Sequence, residues 1–285
     1  MTLSKLEQMN ILVPTDFSNY AEKAFNVACK LAVKFDSTLH LYHSAAIPDD
    51  WEKLPAETKY KDEINKSIAI VARDKMLAIK LQAGQEGIPC EIHYTGGKFL
   101  KNIYEVLAKI KIDLIVMGSH GVSGKEEWLI GSNTQKVIRK VHKNVLVVKN
   151  HMEKLDFSKV LFATGLHQEE QDGFRRFLEF LNPFNVQELH VMAVDTSGYF
   201  SQPTFLMLEA LKDFKRIAAD YPCKTHFYSD YSVESGIRHF TEEYDIKLIG
   251  ISNHNRKKLK RIFMGSNVEM LINHASVPVL SIDYN

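Results

Sequence analysis

The chain is written twice, and that duplication limits its possible folds more than any other feature. Ile11 through Ser18 (ILVPTDFS) aligns with Val160 through His167 (VLFATGLH), and Leu39-His40-Leu41 with Leu189-His190-Val191. Pro89 through Tyr94 aligns with Pro222 through Phe227, and Asp113 through Gly118 with Asp245 through Gly250. Gly131-Ser132-Asn133 returns as Gly265-Ser266-Asn267, and Val145-Leu146 as Val279-Leu280. Matches that keep one order along a chain mark an internal repeat. The expected domains are 1–150 and 151–285, and a junction near Asn150 to Asp156 is too short for a tether, so the copies are expected to pack together.

Each copy alternates short apolar runs with amphipathic segments, the pattern of a parallel sheet covered by helices. Strands are expected near 11–15, 38–43, 89–94, 113–117 and 145–149, and again near 159–164, 187–194, 222–228, 247–251 and 278–282. The first helix follows Asp16 or Ser18 as N-cap, with Ala21, Ala24, Phe25, Ala28, Leu31 and Ala32 at helical spacing. A longer helix is expected between Glu57 and Gln85, and others near 99–110 and 132–141. The fold class is thus α/β: two tandem doubly wound domains.

One loop stands out chemically. Gly118, Gly121 and Gly131-Ser132 form a G-x2-G-x9-G-S set between an apolar strand and a helix. Glycines let the backbone approach a ligand closely or adopt positive φ, and a helix N-terminus offers unpaired N–H groups to an anion. In an open parallel sheet, ligands sit at the carboxyl ends of the strands where strand order reverses. A strand order of 3-2-1-4-5 would bring Asp16, ending strand one, to the crevice beside Gly118. Asp16 could then accept hydrogen bonds from a ribose or base while the glycine turn and helix start hold phosphates. The P-loop and the G-x-G-x-x-G fingerprint are both excluded: Lys125 is followed by Glu126, and strand one runs into Thr15-Asp16-Phe17-Ser18.

With that glycine set and an aspartate ending strand one, the first copy resembles an ATP-binding universal stress protein domain, and the whole chain resembles a tandem member of that family. The resemblance implies a five-stranded parallel sheet of order 3-2-1-4-5 in each domain, with helices on both faces. It implies ATP as ligand, with Mg2+ as an open addition. Pro14, Thr15, Asp16 and Met117 would contact the adenosine part, and Gly118, His120, Gly121, Gly131, Ser132, Asn133 and Thr134 would surround ribose and phosphates. Ser44 is carried over by position alone. The fifth strands would meet in an intramolecular pseudo-dimer, a further homodimer being left open, and an unidentified protein partner would read the nucleotide state. In the second copy Gly165 replaces Asp16, Asn253 replaces Gly121, and eleven residues separate Asn253 from Gly265, so that copy is expected not to bind ATP in the usual way.

Other features read as structure. Cys90-x-x-His93 and Cys223-x-x-His226 have metal-like spacing, but residues three apart on a strand face opposite sides, so they read as buried structural groups, with a site shared between copies left open. His43 and His190 read as core or crevice histidines. The 256–261 segment (RKKLKR) reads as a solvated basic surface, and Asp49-Asp50-Trp51 as either a connection or a lid. No nucleophile stands against an oriented base near Ser119-His120, so at most slow ATP hydrolysis is expected. An ATP-activating enzyme of related fold would show an S-G-G-x-D-S loop after strand one, which is missing; an interaction module without nucleotide is the other alternative. A net charge of +1 gives no pull towards nucleic acid or anionic membrane, three cysteines cannot form a disulfide framework, and no apolar run reaches membrane-spanning length. A cytoplasmic protein is expected.

Overall fold

The computed structural model describes residues 9–120, 130–149, 155–196, 204–253 and 264–284, and for residues 61, 204 and 264–268 the backbone alone. Gly121, residues 150–154 and the basic 256–261 segment lie outside the described residues. The fold is α/β, with parallel strands alternating with helices in two compact units.

The described part of unit 1 is 9–120 and 131–143. It contains β1 (Asn10–Pro14), α1 (Asn19–Phe35), β2 (Thr38–Ala45), α2 (Ala56–Lys61), α3 (Glu63–Gln85), β3 (Cys90–Gly96), α4 (Phe99–Lys109), β4 (Leu114–Gly118) and α5 (Ser132–Lys140). The strands are ordered β3-β2-β1-β4, all parallel. Alternate strand residues face opposite sides, yet Ile11 to Pro14 and all of β4 are buried, so both faces of these central strands are covered. Helix α1 packs on β1 and β4, and α3 on β2 and β3. Trp51, in a short 3-10 turn, is buried with Ala45, Ile47 and Ala69, so the stretch after β2 is anchored in the core.

Unit 2 contains β5 (Asn144–Val148), β6 (Lys159–Ala163), α6 (Glu170–Leu181), β7 (Glu188–Asp195), α7 (Thr204–Ile217), β8 (Cys223–Ser229), α8 (Val233–Glu243), β9 (Leu248–Ser252), α9 (Met264–His274) and β10 (Val279–Ile282). The strands are ordered β5-β10-β9-β6-β7-β8, parallel except for the β5–β10 pair. That antiparallel pair places β5, the last strand of the first repeat, within unit 2. Just beyond β5, the Lys149 ammonium is buried against the carbonyls of Ile272 and Asn273, and burial pushes its pKa down to about 8.

The core of unit 2 is aromatic. Phe162 on β6 lies 4.8 Å from Phe174, 5.5 Å from Phe177 and 6.2 Å from Phe214, ring centre to ring centre. All four are fully or almost fully buried. Truncating Phe162 leaves a void its rigid neighbours cannot close, so Phe162→Ala should cost about 3–5 kcal/mol. Equilibrium urea unfolding checks this, and a loss below about 1 kcal/mol would contradict this packing.

Candidate nucleotide cleft

The carboxyl ends of β1, β2 and β4 and the start of α5 close around one cleft in unit 1. Its lining includes Pro14, Thr15, Asp16, Ser44, Met117, Gly118, His120, Gly131, Ser132, Asn133 and Thr134. Every described residue expected at the site from sequence is therefore brought to one place. Counting its open mouth, the cleft encloses about 650 Å³ of empty space, much of it open to solvent.

The β1 end is shaped by a strained turn. Phe17 has φ 62°, in the left-handed region that costs a bulky side chain of the order of 1 kcal/mol. The Thr15 hydroxyl accepts the Phe17 N–H at 3.0 Å, and Asp16 Oδ1 accepts the Ser18 N–H at 3.1 Å. Ser18 is the N-cap of α1, its hydroxyl accepting the Ala21 N–H at 3.2 Å. Capping thus falls to Ser18, and Asp16, half-buried, lines the cleft.

At the β4 end the requirement for glycine is spatial. A Cβ on Gly118 would stand 2.7 Å from the Tyr20 carbonyl oxygen of α1. Among the described glycines, positive φ occurs at Gly87 and Gly97, so φ is not what selects glycine at Gly118 or Gly131. Gly131 is the N-cap of α5; its N–H donates to the Ser119 carbonyl at 2.8 Å, and the Thr134 hydroxyl donates to the Gly118 carbonyl at 2.9 Å. These bonds tie the helix start to the strand end. Ser132 and Asn133 are exposed at the first turn, where helix N–H groups favour an anion. The buried Ser119 hydroxyl lies 2.9 Å from His120 Nδ1 and orients that ring.

Three lining residues fall outside the sequence-derived set: Ala21, His43 and Phe99. His43 Nδ1 bonds the Thr15 carbonyl at 2.8 Å, and its ring centre lies 4.4 Å from that of Phe17. Burial lowers its pKa, favouring the neutral ring. Phe99 begins α4 and accepts the Tyr42 hydroxyl on its carbonyl at 3.0 Å. The Ser44 hydroxyl donates to the Gly97 carbonyl at 2.9 Å, which makes it a brace of the same wall. No glycine or charge pattern advertises these residues; alternation along β2 was the available signal for His43.

Unit 2 corrects the alignment of the repeats. Ile11 pairs with Leu114 and Leu12 with Ile115, whereas Val160 pairs with Leu248 and Leu161 with Ile249. Gly118 therefore corresponds to Ser252, not to Gly250, which takes the place of Val116. Gly250 is small because the Phe177 ring packs there: a Cβ would come within 2.6 Å of it. In this register Asn255 replaces Gly121, and nine residues separate it from Gly265, the same spacing as in the first copy. The spacing survives, and two of its glycines do not.

The β6 end also differs. Leu166 repeats the positive φ of Phe17, at 64°, but Ala21 is replaced by Glu170. The Glu170 carboxylate accepts hydrogen bonds from the Thr164 hydroxyl and from the Gly165 N–H at 2.8 Å, and is only 2% exposed. A carboxyl group thus lies against the backbone that follows β6, at the place where unit 1 opens its cleft.

Fold and cleft together define an α/β protein with a crevice at the β1–β4 switch point. A sequence model of the universal stress protein family matches residues 8–149 and 156–282, so the chain belongs to that family. Universal stress protein MJ0531 of Methanocaldococcus jannaschii is 31% identical over 139 residues, covering 49% of this chain and 81% of that protein. Universal stress protein Slr1230 of Synechocystis is 24% identical over 298 residues, covering 95% and 99% respectively. The crystal structure of a universal stress protein from Archaeoglobus fulgidus superposes with a TM-score of 0.75 at 18% identity, covering 98% of this chain and all of that one, a likeness of fold.

Burial raises the pKa of Glu170 by penalising its ionised form. The folded chain keeps this proton at pH values where the unfolded chain, titrating near 4.5, has lost it. That contribution to stability is present at low pH and lost as pH rises through the folded value. Glu170→Gln cannot ionise, so wild-type stability minus variant stability should fall as pH increases from about 4.5. Thermal unfolding across that range tests the sign; a flat or rising difference would contradict it.

Proposed function

We propose that unit 1 binds one molecule of ATP and that unit 2 binds none in this way. The observation that carries the reading is the convergence of three strand ends and the first turn of α5 on one cleft. A carboxylate at one end, Asp16, suits ribose hydroxyls as an acceptor. A helix start at the other, Gly131 to Thr134, suits phosphates. Mg2+ would enter with the phosphates, because the described lining offers a single carboxylate rather than an all-protein cage.

ATP acts here as a ligand whose presence a protein partner reads in a stress response, within the cytoplasm. No helix among the described residues is long and apolar enough to cross a membrane. The domains 1–150 and 151–285 are the repeating units of this design, the first carrying the nucleotide. The second owes its lack of a site to Glu170 and to the loss of Asp16 and two glycines from the motif.

Calorimetric titration of the full chain tests the assignment. Gly131→Val adds bulk at the helix start and should weaken ATP at least tenfold, about 1.4 kcal/mol. Asp16→Ala should weaken it roughly 10- to 100-fold, the worth of a charged hydrogen bond. Equal affinity in wild type and both variants would refute this site. Stoichiometric release of AMP or pyrophosphate would instead make the protein an ATP-activating enzyme.

A further inference from the structure

Away from the cleft, at the outer edge of the unit 1 sheet, three side chains from two strands converge. Cys90 and His93 do lie three apart on β3, but His93 shares its face with Glu91, and His40 stands opposite Glu91 on β2. His40 Nδ1 is 3.0 Å from His93 Nε2 and 3.5 Å from a Glu91 carboxylate oxygen, and that oxygen is 4.0 Å from His93 Nε2. A triangle with these sides has a point about 2.1 Å from all three corners, the length of a zinc–nitrogen or zinc–oxygen bond.

We propose that His40, His93 and Glu91 form a mononuclear site for a divalent transition ion, zinc in the first place. Two imidazoles and one carboxylate, with a further position open, make a zinc ligand set of the His2Glu kind. His40 is buried, and its Nε2 lies 3.0 Å from the Asn10 side-chain oxygen. Donation of that N–H to Asn10 fixes the tautomer and leaves the Nδ1 lone pair facing the other two ligands, the outer support that metal-binding histidines need. Burial holds both rings below the usual histidine pKa, so both are neutral near pH 7. Metal entry replaces the hydrogen bond between the rings and requires the His93 proton to move to Nδ1. Glu91 is largely exposed, which gives the ion a way in. Lys109 adds a positive charge near His93, and the Glu91 carboxylate opposes it.

Unit 2 supplies an internal control. His190 Nδ1 and His226 Nε2 repeat the ring pair at 2.9 Å. Lys224 stands where Glu91 would be, and the nearby carboxylate, Glu188, lies 3.4 Å from His190 Nε2, on the other ring nitrogen, while holding Lys224 at 2.6 Å. Lys159 takes the place of Asn10. The second pair has neither the third ligand nor the orienting amide.

Full-length protein stripped with a chelator should take up one equivalent of Co2+ with a visible ligand-field band, displaced by Zn2+. Zn2+ competition against a chromogenic chelator then measures affinity. His93→Gln should abolish uptake, Glu91→Gln at an exposed position should weaken it at least tenfold, and His226→Gln should leave one equivalent bound. Wild type that takes up no Zn2+, uptake unchanged in both His93→Gln and Glu91→Gln, or uptake lost equally in His226→Gln would overturn the proposal.

Discussion

The architecture of unit 1 depends on where β1 lies between its neighbours. From β1 the chain steps to β2 and β3 on one side and returns to pair β4 on the other. Connections leaving adjacent parallel strands in opposite directions cannot cover the carboxyl ends between them, and a crevice remains. Helix α1 lies against both strands, so closely that Gly118 has no room for a side chain beside the Tyr20 carbonyl. Hydrogen bonds from Gly131 to Ser119 and from Thr134 to Gly118 then set the start of α5 at the crevice.

Much of this was legible in the sequence because it rests on local rules. Alternating apolar runs and helical spacing announced the parallel α/β order, and the described expected site residues line one cleft. What escaped depends on side chains meeting across the fold. Phe99 enters the cleft through the start of α4, whereas His43 already read as a core or crevice histidine. The glycine of β9 drew a false match: Gly250 makes room for the Phe177 ring, and only strand pairing reveals that Ser252 stands in the place of Gly118. Cys90 and His93 share a spacing but not a face, and the side chains that His93 meets, Glu91 and His40, lie two residues away and across the sheet.

The two units differ by few residues around the end of their first strand. Both keep the same strained turn after the first strand, at Phe17 and Leu166. Exchanging Ala21 for Glu170 places a buried carboxyl on the Thr164 hydroxyl and the Gly165 N–H. Where helix meets strand, volume is redistributed: Phe177 packs on Gly250 in unit 2, and the corresponding positions of unit 1 are Ala28 and Val116, both buried. Core packing can be conserved in total while the motif that lies beside it is taken apart.

The asymmetry of the two units predicts one nucleotide per chain, held in unit 1. Native mass spectrometry of the intact protein with excess ATP counts this directly. A single ATP adduct at saturation is the predicted result. Two adducts would show that Glu170 does not close unit 2, and no adduct would show that the unit 1 cleft is not a nucleotide site.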